Sequence, residues 1–181
     1  SATYITDDHD LWFNDWGYNF SNTQPEVYRE MRDIVKKAWK HVAPGNTSEY
    51  RQYEPSNMGL FYSYNHYIQA TKSHQAFKIQ FLQLDDQTFK IADNDGSTVK
   101  RGDGPWDENN VERFRTYSDE EFKWLEDKLL EEADLRIISM GGAMIGGLGY
   151  ENLANDTYGK HKLFNILRNT RAEGCVFLCA D

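Results

Sequence analysis

The segment best suited to hold a ligand is glycine-rich: residues 141–149 read GGAMIGGLG. It follows an apolar strand pattern and precedes a helix pattern, a position from which backbone N–H groups can cradle a phosphate. The candidate phosphate ligands are Gly146, Gly147, Gly149, Lys160 and Lys162. However, the segment lacks the Gly-Lys-Ser/Thr ending of a P-loop and the GxGxxG spacing of a dinucleotide-binding turn. A tight packing loop is therefore the alternative to an enzyme or a nucleotide- or phosphate-binding site centred on this segment.

A second candidate surface is acidic and aromatic. Residues 107–134 contain eleven Asp or Glu against four Lys or Arg, and much of this charge lies on the outer face of a helix predicted over 118–134. The candidate partner-binding residues are Glu120, Trp124, Asp127 and Glu131. Carboxylates would steer a basic partner toward this helix, and aromatic side chains would anchor it.

These features favour an acidic protein-binding module that inhibits or modulates a basic macromolecular partner, either a basic protein or a protein–nucleic-acid complex. The formal net charge is −9, and a field of that sign repels nucleic acid and anionic membranes as direct partners. Inhibitors of nucleic-acid enzymes, such as toxin-immunity proteins and phage-encoded anti-CRISPR inhibitors, would suit such a surface. That comparison is an analogy of charge and size alone.

The remaining chemistry-bearing residues are scattered. Residues 7–10 read Asp-Asp-His-Asp, but adjacent side chains of an extended chain point to opposite faces and do not converge on one metal ion. Neither an HExxH pair nor a Gly-x-Ser-x-Gly elbow occurs. We predict no metal and no cofactor. Whether the protein is an enzyme stays open, because a fold could bring His66 or His74 beside an acidic partner and Tyr62 or Tyr64.

Length and composition indicate one globular domain over 1–181. Hydrophobic residues make up 39% of the chain and aromatic residues 14%, so some rings are expected at the surface, where they serve recognition. The chain has no apolar run of about 18 residues and no signal-like start, which predicts a soluble, cytoplasmic protein. Cys175 and Cys179 are predicted to share one face of a buried strand, too far apart to bridge and unreactive.

The first half of the sequence is predicted to contain an aromatic arm, a helix and several strands. Residues 1–22 form an acidic, aromatic N-terminal arm. A capping box and an apolar stripe predict a helix from 23 to 42. An aromatic run over 58–64 favours a strand, and alternating residues and turn sequences over 76–101 predict an antiparallel meander.

The second half alternates helix and strand. Ser118 and Glu121 form a second capping box, with Tyr117 and Phe122 as its hydrophobic staple. A strand over 135–139, a helix over 155–172 and a strand over 175–179, buried on both faces, complete the chain. The expected fold is α+β: an antiparallel meander packed against about three amphipathic helices, with a C-terminal strand–helix–strand unit that could form a parallel crossover.

Overall fold

The computed structural model describes residues 61–73, 75–86, 116–144, 153 and 156–179, together with the helical residues 26, 30, 33, 34 and 37. The elements of the longer stretches are β1 (Tyr62–Ile68), β2 (Phe77–Gln83), α1 (Asp119–Leu129), β3 (Leu135–Met140), α2 (Thr157–Thr170) and β4 (Cys175–Cys179). The fold class is therefore α+β. The five helical residues fall inside the predicted helix over 23–42, whose other residues lie outside the described part.

The four strands form one mixed sheet in the order β1-β2-β3-β4. β1 runs antiparallel to β2, with Tyr62 opposite Gln83. β3 is parallel to β2 and β4 is parallel to β3. The predicted C-terminal strand–helix–strand unit is thus present as β3, α2 and β4, and β2, α1 and β3 form a second parallel unit.

The meander predicted over 76–101 is not confirmed. β2 lies between β1 and β3, so both of its edges are already paired over Ile79 to Gln83. Among the described residues, the strand that follows β2 along the chain is β3, which is parallel to β2 and is reached through the crossover helix α1 rather than through a hairpin. The shorter strands predicted within 87–101 lie outside the described residues.

The first turn of α1 forms largely as its sequence predicts. Ser118 is the N-cap, and its Oγ accepts a hydrogen bond from the Glu121 backbone N–H at 3.0 Å. The Tyr117 and Phe122 rings meet edge to face with centroids 5.6 Å apart, which confirms the predicted staple. The reciprocal half of the capping box is absent, because the Glu121 carboxyl instead accepts from the Asp85 backbone N–H at 2.7 Å.

The core of the described part lies between one face of the sheet and both helices. Its buried side chains include Leu82, Ile138 and Met140 of the sheet, Phe122, Leu125 and Leu129 of α1, and Leu163 and Ile166 of α2. Each such side chain contributes about 1.5–3 kcal/mol when it leaves water. This layer fixes where the helices begin and end relative to the strands.

The prediction that 175–179 is a strand buried on both faces is wrong. Val176 and Leu178 are 45% and 50% exposed, because β4 is an edge of the described sheet and α1 and α2 pack on the opposite face. Both cysteines are free thiols. Cys175 is partly buried, which raises the pKa of its thiol despite the nearby Arg136 guanidinium, while Cys179 is exposed.

The two ends of the parallel strands are chemically different. At the amino edge, where β2, β3 and β4 begin, the buried Arg136 guanidinium donates to the backbone carbonyls of Glu131, Ala133 and Glu173 at 2.6–3.2 Å. It thereby joins the loop after α1 to the loop after α2. At the carboxyl edge, where these strands end, four acidic side chains are buried: Asp85, Asp86, Glu121 and Asp156.

Candidate functional site

One face of α1 is turned to solvent and carries two unengaged carboxylates. Glu120 and Asp127 are exposed and lie seven residues apart, close to two helical turns, with exposed Lys123 between them. Neither carboxylate forms a hydrogen bond or an ion pair with the described residues. Leu130, which follows the last residue of α1, is 65% exposed. We call Glu120, Lys123, Asp127 and Leu130 the α1 outer face.

The other two predicted partner-binding residues do not belong to this face. Glu131 lies beyond the end of α1, and its carboxylate accepts from Lys128 Nζ at 2.9 Å and from Gln80 Nε2 at 3.2 Å. Lys128 is a buried residue, so Glu131 neutralises a cation that the fold covers. Trp124 is half-buried, with its ring 4.9 Å from that of Phe61. Of the four predicted residues, Glu120 and Asp127 are therefore exposed and form no such contact with the described residues, whereas Trp124 and Glu131 contact other parts of the fold.

A polar groove runs between α1 and α2. It encloses about 390 Å³ and is lined by Glu126, Tyr158, His161, Lys162, Asn165, Ile166 and Asn169. Lys162 Nζ contacts Asp119 Oδ1 and donates to the Tyr158 hydroxyl at 2.9 Å. Burial alone would lower the pKa of Lys162, but the hydrogen bonds to Asp119 and Tyr158 raise it overall. Lys162 thus ties α2 to the start of α1.

The start of the glycine-rich segment already binds a carboxyl group of the protein itself. The Gly142 backbone N–H donates to Asp86 Oδ2 at 2.6 Å. A Cβ placed on Gly141 would come within 2.5–2.9 Å of the Asp86 carboxyl group, so a larger residue there would force that carboxyl group to shift. The candidate phosphate ligands Gly146, Gly147 and Gly149 lie outside the described residues.

The N-terminus of α2 is also capped from within. Asp156 is the N-cap, fully buried, and its carboxylate accepts from the backbone N–H groups of Gly159 and Thr116 at 2.7 and 2.8 Å. A phosphate at this helix start would meet that buried carboxyl group, which already accepts hydrogen bonds from these N–H groups. Lys160 is partly exposed in the first turn, and Lys162 is engaged by Asp119 as described above. The buried carboxyl groups of Asp86 and Asp156 already accept hydrogen bonds from these backbone N–H groups, which weighs against a phosphate at either position.

The acidic carboxyl edge was missed by sequence reasoning. Asp85 and Asp86 follow β2 and look like an ordinary turn, yet both are buried, at 0% and 2% exposed. Burial, followed by the charges of Asp85 and Asp86, raises the pKa of Glu121. Burial also raises the pKa of Tyr117, as do the nearby carboxyls of Asp86, Glu121 and Asp156. The sequence signal that could have indicated this buried acidic cluster is the Asp85-Asp86 pair, which directly follows an apolar strand pattern.

Within the described residues no three His, Cys, Asp or Glu side chains are placed to hold a metal ion. His66 is exposed, while Tyr64 is half-buried and stacks on Phe81 with ring centroids 4.4 Å apart. His74 and residues 7–10 lie outside the described part, so the catalytic sets proposed from the sequence stay predictions. None of the described helices is long and apolar enough to span a membrane.

Comparison with known proteins assigns no family. No protein-family model matches the chain, and no curated protein and no solved structure matches it.

Proposed function

We propose that the protein is an acidic binding module that inhibits or modulates a basic macromolecular partner through the α1 outer face. The observation that carries this proposal is the pair of exposed, unengaged carboxylates of Glu120 and Asp127. An exposed carboxylate keeps its charge for a partner, whereas one already paired within the fold would have to break that pair first. Leu130, 65% exposed beside them, supplies an apolar contact.

The net charge supports the same reading. A formal charge of −9 gives the molecule a field that attracts basic surfaces and speeds their encounter. The two carboxylates then fix where on the molecule a basic partner docks. We place the partner among basic proteins and protein–nucleic-acid complexes, with nucleic-acid enzymes as one class that such an inhibitor would suit.

The test is capture of basic proteins from the native host lysate by the tagged full chain and by a double reversal, Glu120→Lys with Asp127→Lys. Glu131 is left intact in this variant, because Lys128 would otherwise be buried without its partner. Reversing two exposed contacts changes an attraction into a repulsion at each, which we expect to weaken binding roughly tenfold at low salt. Retention should also fall as salt rises.

The matched control is Glu30→Lys with Glu173→Lys. Both residues are exposed and lie outside α1, and each double variant raises the formal charge by four, from −9 to −5. The proposal predicts that one basic protein is lost from the α1 variant and kept by the control. If both variants lose it equally, net charge rather than the α1 outer face is responsible. If neither loses it, the surface is wrong.

A further inference from the structure

The described part of the fold buries the Glu121 carboxyl group but supplies a hydrogen-bond donor to only one of its two oxygens. It lies in the first turn of α1 and is 1% exposed. Its Oε1 accepts the Asp85 backbone N–H at 2.7 Å. Its Oε2 is buried and has no hydrogen-bond partner. A carboxylate has two acceptor oxygens and no donor, so an ionised Glu121 would leave one charged oxygen unsatisfied in a site closed to water.

The groups around Glu121 make that ionisation more costly. Asp85 and Asp86, at the end of β2, are both buried. Tyr117 precedes α1, and its buried hydroxyl also has no hydrogen-bond partner. The carboxyl group of Asp156, which caps α2, raises the pKa of Tyr117. The thiol of Cys179, at the end of β4, raises it as well. From β3, the residues that follow the strand here are Gly141 and Gly142, which do not titrate. All of these titratable groups are acids, so none of them supplies a positive charge that would stabilise an ionised Glu121.

We infer that Glu121 carries a proton on Oε2 in the folded protein at neutral pH, which makes the junction between α1 and the end of β2 a pH-sensitive contact. The protonated oxygen becomes a donor that can turn toward the neighbouring carboxyls. The same proton removes one negative charge from the carboxyl edge. Burial and the Asp85 and Asp86 charges, which raise the pKa of Glu121, support the assignment, although the Asp85 N–H bond opposes them.

The sign of the pH dependence follows from proton linkage. Between the pKa of Glu in the unfolded chain and its raised pKa in the folded protein, the folded state binds more protons than the unfolded state. Stability from this group is therefore complete at acidic pH and is lost as pH rises through that window. One group changes stability by at most 1.36 kcal/mol per pH unit, which for a chain of this length corresponds to roughly 3–5 °C of melting temperature per pH unit.

The experiment compares the melting temperatures of the full-length wild type and Glu121→Gln from pH 4 to pH 9. Glutamine keeps the Oε1 acceptor and replaces the Oε2 proton with an amide donor. The melting temperature of the variant minus that of the wild type should rise with pH through the window. A difference that stays flat, or that falls as pH rises from 4 to 6, would overturn the inference. Glu120→Gln, at the exposed neighbouring position, should show no such pH trend.

A second measurement can refute the inference even if Glu121→Gln does not fold. The infrared spectrum of the wild type at neutral pH should contain the C=O stretch of a protonated carboxyl, which ionised carboxylates lack. This band should disappear reversibly as pH is raised while circular dichroism still reports a folded chain. Absence of the band at neutral pH would show that Glu121 is ionised and would refute the assignment. Neither readout depends on a binding partner.

Discussion

Replacing Asp156 by alanine should destabilise the protein more than any change of an exposed acidic residue. The side chain is 0% exposed, and its two oxygens accept from two different segments, the Gly159 N–H within α2 and the Thr116 N–H before α1. Losing the N-cap costs about 1 kcal/mol. Leaving the buried Thr116 N–H without an acceptor costs about 1–3 kcal/mol more.

The expected loss is therefore roughly 2–4 kcal/mol, or about 5–15 °C of melting temperature for a chain of this size. Asp156→Asn keeps one oxygen but places an amide group against the second N–H, so its loss should lie between wild type and alanine. Urea unfolding followed by tryptophan fluorescence and circular dichroism measures both variants. An unchanged slope of free energy against urea would show that the variant has lost stability without a change in the surface that unfolding exposes.

The control for this series is Asp127→Ala, an exposed acidic residue of α1, which should shift stability by no more than about 0.5 kcal/mol. The reasoning fails if Asp156→Ala is as mild as this control. It also fails if Asn is as damaging as alanine, because the graded loss follows from the two separate acceptors. Either result would mean that Asp156 does not join the start of α2 to the segment before α1.

Two further predictions concern the loop before β4 and the clamp between the helices. Gly174 has a positive φ of 64°, and a Cβ there would lie 2.8 Å from the Asp134 carbonyl oxygen. Gly174→Ala should therefore lower the free energy of unfolding, measured in urea, by about 1–3 kcal/mol. An unchanged free energy of unfolding would contradict that close approach. Lys162→Met removes the contact with Asp119, whose side chain is 60% exposed, but keeps the aliphatic stem, so stability should change by less than about 1 kcal/mol. A larger loss on thermal unfolding would show that this pair is more than a surface contact.

Local signals predicted the elements well because their causes lie within a few residues. The Ser118 cap and the staple of Tyr117 on Phe122 act within a single helical turn. The strand pattern over 135–139 and the helix over 155–172 likewise reflect side-chain periodicity along one segment. The structure shortens α2 to 157–170, with Asp156 as its cap. These features needed no knowledge of distant residues.

Contacts between distant residues account for the corrections. Glu131 looked like part of an acidic helix face, but it bonds Gln80, 51 positions away in the sequence. Glu121 looked like half of a capping box, but it accepts from Asp85, 36 positions away. The exposed face of β4 depends on which side of the sheet the helices occupy. No spacing within a single segment reports such pairings, so the candidate surface could be located on α1 but not divided into exposed and structural residues.

The buried guanidinium of Arg136 has a consequence for how the fold opens. Its hydrogen-bond acceptors are backbone carbonyls, which have no proton to gain or lose. The acceptors that hold the loops after α1 and α2 together are therefore the same in acid and in alkali. The opposite end of the strands is built from groups that gain or lose protons. As pH rises, the amides at the ends of β2 and β3 should be the first to lose protection, so that their hydrogen exchange accelerates by more than the intrinsic exchange rate does. The Arg136 and Leu130 amides should keep their protection.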